Sequence, residues 1–391
     1  MAPRVCGVSL AAFLLASSIF NLGQFVFFLL YNLYLLDLGF EETFLGKAAA
    51  LMTAGSLCGT LPAGWVASRF GLAASLRIAF LAGSAVGACR AWATGRTDLL
   101  ALAFLAGLAS ALWAVSVPPA ITQLTKEENR PRAFSLFFAL GIGMGILGGL
   151  LGGRLPGWIS RWRPAALEAK RAALWIGCAF SALALGPALG LRFSPGVSSG
   201  SRSRIYPWTP FLRRYLAAAA AWNLFAGAFP PFFNAYLERR FTAGPVEIGR
   251  AFAAAQGAQA AGVLLAPSIF ARLGLERAVA GTQAAAAILL GLVGAPFGAT
   301  LPAAATLYAA SQAWQWMSEP GWYSLLMSRI SPEERSGASA LYTGVIYGAQ
   351  ALAAFLFGAA AARLGYPASL AAASLLGLFS ASLFYRLLGH N

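Results

Sequence analysis

An all-α integral membrane protein of 12 transmembrane helices, arranged as two six-helix bundles, is the fold class the 391-residue sequence predicts. Three observations predict it. The chain is 59% hydrophobic and only 10% charged, with a mean hydropathy of +0.69. A soluble domain carries about 25% charged residues, so this one lacks the charge to cover a water-facing surface. Apolar runs long enough to cross a bilayer recur 12 times along the chain. The second half also repeats residues of the first at a nearly constant spacing.

A span needs about 20 mostly apolar residues, since the hydrocarbon core is about 30 Å thick and a helix rises 1.5 Å per residue. The runs are 9–36, 44–67, 75–93, 98–122, 133–153, 172–191, 215–237, 248–270, 277–296, 301–328, 338–362 and 367–388. The first follows Arg4 and continues to about residue 36, far beyond the h-region of a signal peptide, and is expected to be a retained helix. Ser, Gly and basic residues fill 193–214, which makes this stretch a cytoplasmic linker between bundles 1–192 and 215–391. With a cytoplasmic N-terminus, 16 of the 28 Lys and Arg fall on the inside, which places both termini in the cytoplasm of a multi-pass protein of the plasma (inner) membrane. Among the rest, Arg154, Arg161, Arg163, Lys170 and Arg171 share the stretch between spans 5 and 6 with Trp158, Trp162 and Trp175. That composition is expected to form an interfacial amphipathic helix against anionic headgroups, with membrane lipids as partners.

The repeat is explicit at residue level. Asn21, Asn32, Tyr34 and Leu35 in span 1 recur 202 residues later as Asn223, Asn234, Tyr236 and Leu237 in span 7. Gly46, Gly59, Arg69 and Gly71 recur at a spacing of 203 as Gly249, Gly262, Arg272 and Gly274. Ser110, Trp113 and Pro119 recur at 201 as Ser311, Trp314 and Pro320. Six spans per unit give the two halves the same orientation, and parallel repeats of this kind hold a solute site near the midplane between them.

On these residues the chain resembles the major facilitator superfamily over essentially its whole length. The family's loop 2–3 signature, Gly-x-Leu-Ala-Asp-Arg-x-Gly, is matched by Gly64-Trp65-Val66-Ala67-Ser68-Arg69-Phe70-Gly71, with Arg77 in the trailing basic position. Ser68 stands in place of the family's aspartate. The resemblance implies that Gly64, Ser68, Arg69, Gly71 and Arg77, with the repeat mates Arg272 and Gly274, form a cytoplasmic gating motif. The loop Thr125-Lys126-Glu127-Glu128-Asn129-Arg130 also resembles the family's loop 4–5.

Several chemistries are excluded. Cys6, Cys58, Cys89 and Cys178 are isolated and the one histidine is His390, so no disulfide framework, metal site or catalytic triad is expected, and no cofactor. Gly143-Met144-Gly145-Ile146-Leu147-Gly148 fits GxGxxG but lies in an apolar run without a preceding strand, and is expected to serve close helix packing. No GxxxxGK[ST] loop is present, which leaves ion gradients as the energy source for any pumping. The basic residues Arg202, Arg204, Arg213 and Arg214 belong to the linker and point to lipid rather than nucleic acid. Pro118–Pro119 and Pro230–Pro231 are expected to kink or break spans 4 and 7.

Glu319, in Met317-Ser318-Glu319-Pro320, is the most informative residue. It lies ten residues from Arg329, about 15 Å along a helix, and so near the midplane. An acid there costs about 2.5–3.5 kcal/mol on insertion scales and, lacking a cationic partner at its depth, can carry a coupling proton or hold a cationic solute group. A neutral carboxyl bonded to neighbouring helices is the alternative. Gln312, Gln315, Trp316 and Glu319 share one face of span 10 at i, i+3, i+4 and i+7, a polar stripe expected to face a cavity. Further candidates to line that cavity are Asn21, Gln24, Tyr31 and Asn32 (span 1), Trp113 and Ser116 (span 4), Trp222, Asn223 and Asn234 (span 7), Gln256 and Gln259 (span 8), and Tyr347 and Gln350 (span 11). Interhelical hydrogen bonding is the competing role for each.

The expectation is a secondary active transporter, not an enzyme, that moves a small organic or amphiphilic solute by alternating access as a monomer. Proton coupling through Glu319 is preferred to uncoupled facilitation, and efflux to uptake. A transport-inactive membrane receptor or scaffold, and a membrane enzyme acting on lipid, are the alternatives from other classes.

Overall fold

The computed structural model describes residues 3–162, 165–191, 193, 208–331 and 334–388. Most of the expected linker, Arg163, Arg192, Arg202, Arg204 and His390 lie outside them. All regular elements among the described residues are helical. Eight helices are long and apolar enough to cross a membrane, two of them holding 51 and 52 residues. A straight 51-residue helix would reach about 77 Å, more than twice the hydrocarbon thickness. Each long helix instead turns at a glycine of positive φ: Gly71 (φ 82°, ψ 163°) inside Glu42–Trp92, and Gly365 (φ 76°, ψ 167°) inside Arg335–Leu388. Only glycine adopts that conformation without strain.

Twelve rods result. They are α1 (Pro3–Asp37), α2 (42–70), α3 (72–92), α4 (Arg96–Leu124), α5 (Arg130–Ile159), α6 (Ala166–Leu183, continued by Leu185–Leu189), α7 (Pro210–Ala226, resumed at Phe233–Phe241), α8 (Pro245–Leu273), α9 (Leu275–Gly294), α10 (Leu301–Arg329), α11 (335–364) and α12 (366–388). Thr209 and Thr300, each just ahead of a helix that begins with proline in its first two positions, accept hydrogen bonds from Leu212 N (3.1 Å) and Ala303 N (3.4 Å), the expected N-caps. The two helices outside the apolar eight are α8 and α10, which carry the glutamine and glutamate stripes.

Three local expectations are revised. The proline pair at Pro230–Pro231 does interrupt α7, through a short 3-10 segment at Pro230–Phe232, whereas α4 runs unbroken through Pro118–Pro119. No separate amphipathic helix lies between α5 and α6 among the described residues. Instead α5 extends to Ile159, so Arg154 and Trp158 sit on its last turns, and Lys170 and Arg171 sit on the first turns of α6. Lys170 is buried and paired with Asp37 at 2.9 Å rather than facing headgroups.

The chain divides into two compact units. Unit 1 comprises Met1–Phe40, Leu51–Gly200 and Gly244–Ala253, and unit 2 comprises Glu41–Ala50, Ser201–Ala243 and Ala254–Asn391. In unit 1, α1 is the central rod and packs along α5 and α6. Its core is apolar: Phe13, Phe20, Leu76, Phe80, Ile121 and Ala184 are buried, with Trp113 and Phe137 packed on them. Phe20, Phe80 and Trp113 form a triad with ring centroids 4.9, 5.3 and 5.4 Å apart, separations at which aromatic pairs attract. Glycines of α5 allow close approach, since a Cβ on Gly148 would stand 2.6 Å from Phe25 Cβ and one on Gly153 would stand 2.5 Å from Pro245 O.

In unit 2, α7 packs along α11 and α12, and α9 lies against α10 and α12. The repeat is visible in matched bonds. Tyr34 Oη donates to Ala91 O and Tyr236 Oη donates to Val293 O, both at 3.0 Å, and donor and acceptor are each displaced by 202 residues. Gly71 and Gly274 share the same positive-φ turn, with φ of 82° and 76°. Gly59 packs on Ala111, and its repeat mate Gly262 packs on Ala313.

Candidate functional site

Helix α10 presents the polar stripe as the spacing requires. Gln312 is buried, Gln315 and Glu319 are half-buried, and Trp316 is 43% exposed, so the stripe runs from the packed interior of unit 2 to its surface. Amide-to-amide bonds tie it to α8: Gln259 Nε2 donates to Gln312 Oε1 (2.9 Å), and Gln312 Nε2 donates to Gln315 Oε1 (3.1 Å). A second amide pair joins α11 to α7, where Gln350 Nε2 donates to Asn223 Oδ1 (3.0 Å) and Asn223 Nδ2 donates to Ala219 O (2.9 Å). Gln256 and Asn234 are buried, and Tyr347 is half-buried within electrostatic reach of Tyr323.

Glu319 sits beside this ladder. The buried indole N–H of Trp222 faces its carboxylate without reaching hydrogen-bond geometry. Tyr215, Tyr323 and Tyr342 are the tyrosines around Glu319. These rings and Trp222 come from α7, α10 and α11, and no Lys, Arg or His forms an ion pair with Glu319 among the described residues. Tyr215 packs edge-on against Tyr342 (5.3 Å) and Trp322 (5.1 Å), and its hydroxyl donates to Trp322 O at 2.9 Å. The arrangement is an acid in an aromatic setting, able to take up a proton or to face an organic cation over ring surfaces.

The candidates in unit 1 are placed differently. Trp113 belongs to the aromatic core, and Ser116 Oγ shares a 2.7 Å hydrogen bond with Ser75 Oγ. Gln24 Nε2 donates to Ser181 Oγ at 3.2 Å, while Asn21 and Asn32 are half-buried on α1. Tyr31 is buried, with its ring under the guanidinium of Arg90. In the loop 2–3 motif Ser68 Oγ donates to Trp65 O within its own helix, and Arg69 and Arg272 are exposed. Gly64 lies within α2, and Gly71 and Gly274 make the turns into α3 and α9. Arg77 reaches the end of α6, donating from Nε to Ala188 O (3.1 Å) and from Nη2 to Leu189 O (2.9 Å), where a cation meets the unpaired carbonyls of a helix terminus.

The sequence reading missed three features: the tyrosine cluster around Glu319, the fully buried Gln283 of α9 whose amide has no partner, and the buried Arg90. The last two are lone polar residues inside apolar runs, the same signal that singled out Glu319.

A multi-pass helical membrane protein with an internally repeated helical frame, and with a half-buried acid in unit 2, is the class this architecture defines. The chain belongs to the Major Facilitator Superfamily, whose family model matches residues 13–347. The fold is similar to that of a D-xylose–proton symporter (15% identity, 97% of this chain and 98% of that one, TM-score 0.78). It is also similar to a bacterial homolog of the human lysosomal transporter Spinster, in an inward-facing, unoccupied conformation (14% identity, 99% and 98%, TM-score 0.78). The nucleoside transporter NupG is a third neighbour (14% identity, 97% and 99%, TM-score 0.74). A search of curated proteins finds no significant match. Family and fold make the chain a membrane-embedded transporter rather than an enzyme.

Proposed function

We propose that the protein is a proton-coupled secondary transporter of a small organic or amphiphilic solute, working by alternating access in the plasma membrane with both termini cytoplasmic. One observation carries the coupling: Glu319, beside Trp222, Tyr215, Tyr323 and Tyr342, has no ion-pair partner among the described residues. The groups facing it from α7, α10 and α11 are phenols and an indole, so a proton on the carboxyl is the simplest way to neutralise it. The amides of Gln259, Gln312, Gln315, Asn223 and Gln350 supply donors and acceptors for a polar solute, and the rings supply apolar surface. The same rings favour a second reading, in which a cationic group of the solute takes the proton's place.

Flux in proteoliposomes tests both. With an imposed pH gradient the wild type accumulates solute, and the sign of the gradient that drives accumulation tells export from import. Glu319→Gln is expected to lose gradient-driven accumulation while retaining solute counterflow. A Glu319→Gln protein that still accumulates solute at the wild-type rate, with unchanged pH dependence, removes the coupling role. If counterflow of a cationic solute is lost with accumulation, while that of a neutral one persists, the cation reading replaces the proton reading.

A further inference from the structure

Unit 1 holds a buried charge that the transport reading does not use. Arg90 lies two residues before the end of α3 and is 7% exposed. Its guanidinium carbon stands 3.9 Å from the centroid of the Tyr31 ring and 5.3 Å from that of Phe27, both on α1. Ring faces attract a cation, but they accept none of its N–H bonds. Nε is sealed from solvent without a hydrogen-bond partner, and so is the hydroxyl of Tyr31. Two acids of this end of the unit are paired with other cations, Asp37 with Lys170 at 2.9 Å and Glu168 with Arg171 at 2.7 Å, and Asp98 of α4 forms no ion pair with Arg90. Arg171 also donates from Nε to Tyr34 Oη (3.2 Å), which itself donates to Ala91 O, so Tyr34 is fully occupied where Tyr31 is not.

An arginine buried to this degree normally has a carboxylate, because the desolvation of a lone charge is costly. Here α1 and α3 supply two unused donors, Arg90 Nε–H and Tyr31 O–H, α6 adds the thiol of Cys178 close by, and no carboxylate pairs with Arg90 among the described residues. The edge of a guanidinium that carries Nε–H and one terminal nitrogen is the edge that binds a carboxylate or phosphate through two parallel bonds. Trp92 and Trp175, both exposed and 6.1 Å apart, flank the same end of the unit. They offer ring surface to the apolar part of such a ligand.

We infer that Arg90 and Tyr31 form a binding site in unit 1 for the anionic head of an organic molecule, a carboxylate or a phosphate. The anion comes either from a soluble solute or from a phospholipid headgroup. Thermal unfolding of the purified full-length chain tests the site and separates the sources. In neutral detergent the probe is benzoate, with benzamide as its uncharged counterpart. In nanodiscs the probe is phosphatidylglycerol added to phosphatidylcholine, without benzoate. A ligand that binds only the folded state raises the unfolding midpoint. The wild type is expected to respond to benzoate and not benzamide, or to phosphatidylglycerol, and the responding arm names the source. Arg90→Met should abolish that response without lowering the midpoint of the anion-free protein, since it replaces an unmatched charge with an apolar chain of similar length. Arg90→Lys should keep a reduced response, and Tyr31→Phe, which preserves the ring face, should weaken apparent affinity about tenfold. No response in either arm, or a response that Arg90→Met leaves intact, overturns the site. Neither result bears on Glu319, whose test is gradient-driven flux.

Discussion

The two units share a scaffold and differ in what they bury at its centre. Tyr34–Ala91 and Tyr236–Val293 are the same bond made twice, and Gly71 and Gly274 are the same turn. Yet unit 1 fills its middle with Phe20, Phe80 and Trp113, whereas unit 2 places Trp222 where unit 1 has Phe20, at a spacing of 202. At the 203 spacing that relates Gly71 to Gly274, Phe80 is replaced by Gln283, buried with both amide atoms unpartnered. Ser380 Oγ and the indole nitrogens of Trp222 and Trp322 are also sealed without hydrogen-bond partners in unit 2 among the described residues, and Glu319 adjoins Trp222. Duplication supplied a common frame. In unit 1 its middle is filled by an apolar core, and in unit 2 it holds polar groups whose burial without partners costs stability.

Changing the polarity of those two residues in opposite senses is the strongest way to break the comparison. Phe80→Gln should destabilise unit 1 by roughly 3–5 kcal/mol, because it removes a fully buried ring and leaves an amide that no neighbour is placed to satisfy. Gln283→Leu should do the reverse in unit 2 and stabilise by roughly 1–3 kcal/mol, the desolvation cost of an unmade hydrogen bond. Unfolding midpoints of the two variants in detergent check both signs. If Gln283→Leu destabilises, the amide is satisfied in the folded protein and the contrast between the units is smaller than their side chains imply.

The frame was legible in the sequence and the contrast was only partly so. Apolar runs of about 20 residues fix helix number because an unpaired backbone cannot cross lipid, and nothing else competes with that constraint. Proline was less decisive. Gly227–Ala228 ahead of Pro230–Pro231 gives α7 a weak step at which to break, while Ser116–Val117 ahead of Pro118–Pro119 does not, and α4 continues. Glu319 was found because an acid deep in an apolar run is costly there whichever role it serves. Arg90 was overlooked because, two residues from a helix end, it looks like a side chain that snorkels outward, and only tertiary packing turns it onto Tyr31. The tyrosines about Glu319 come from positions 215, 323 and 342, and no spacing along the chain brings them together.

A smaller effect should be equal in both units. Gly71→Ala and Gly274→Ala each place a Cβ in open space, with nothing within 4 Å, so their cost is purely conformational. At φ of 82° and 76° with ψ of 163° and 155°, that cost is about 1–3 kcal/mol apiece. Matching falls in unfolding midpoint are expected, and a difference between the two would mean that one turn is held by contacts the other lacks.

The smallest effect separates what is repeated from what is particular. Tyr236→Phe removes one hydrogen bond to Val293 O and should cost about 0.5–1.5 kcal/mol. Tyr34→Phe removes the equivalent bond to Ala91 O and also the acceptor for Arg171 Nε, a charged donor, so it should cost more. Adding Arg171→Met to Tyr34→Phe isolates that excess. The double variant should lose less than the sum of the single losses by the amount of the Tyr34–Arg171 coupling. If Tyr34→Phe and Tyr236→Phe instead cost the same and the cycle shows no coupling, Arg171 contributes nothing through Tyr34, and the bond is a duplicated scaffold contact in both units.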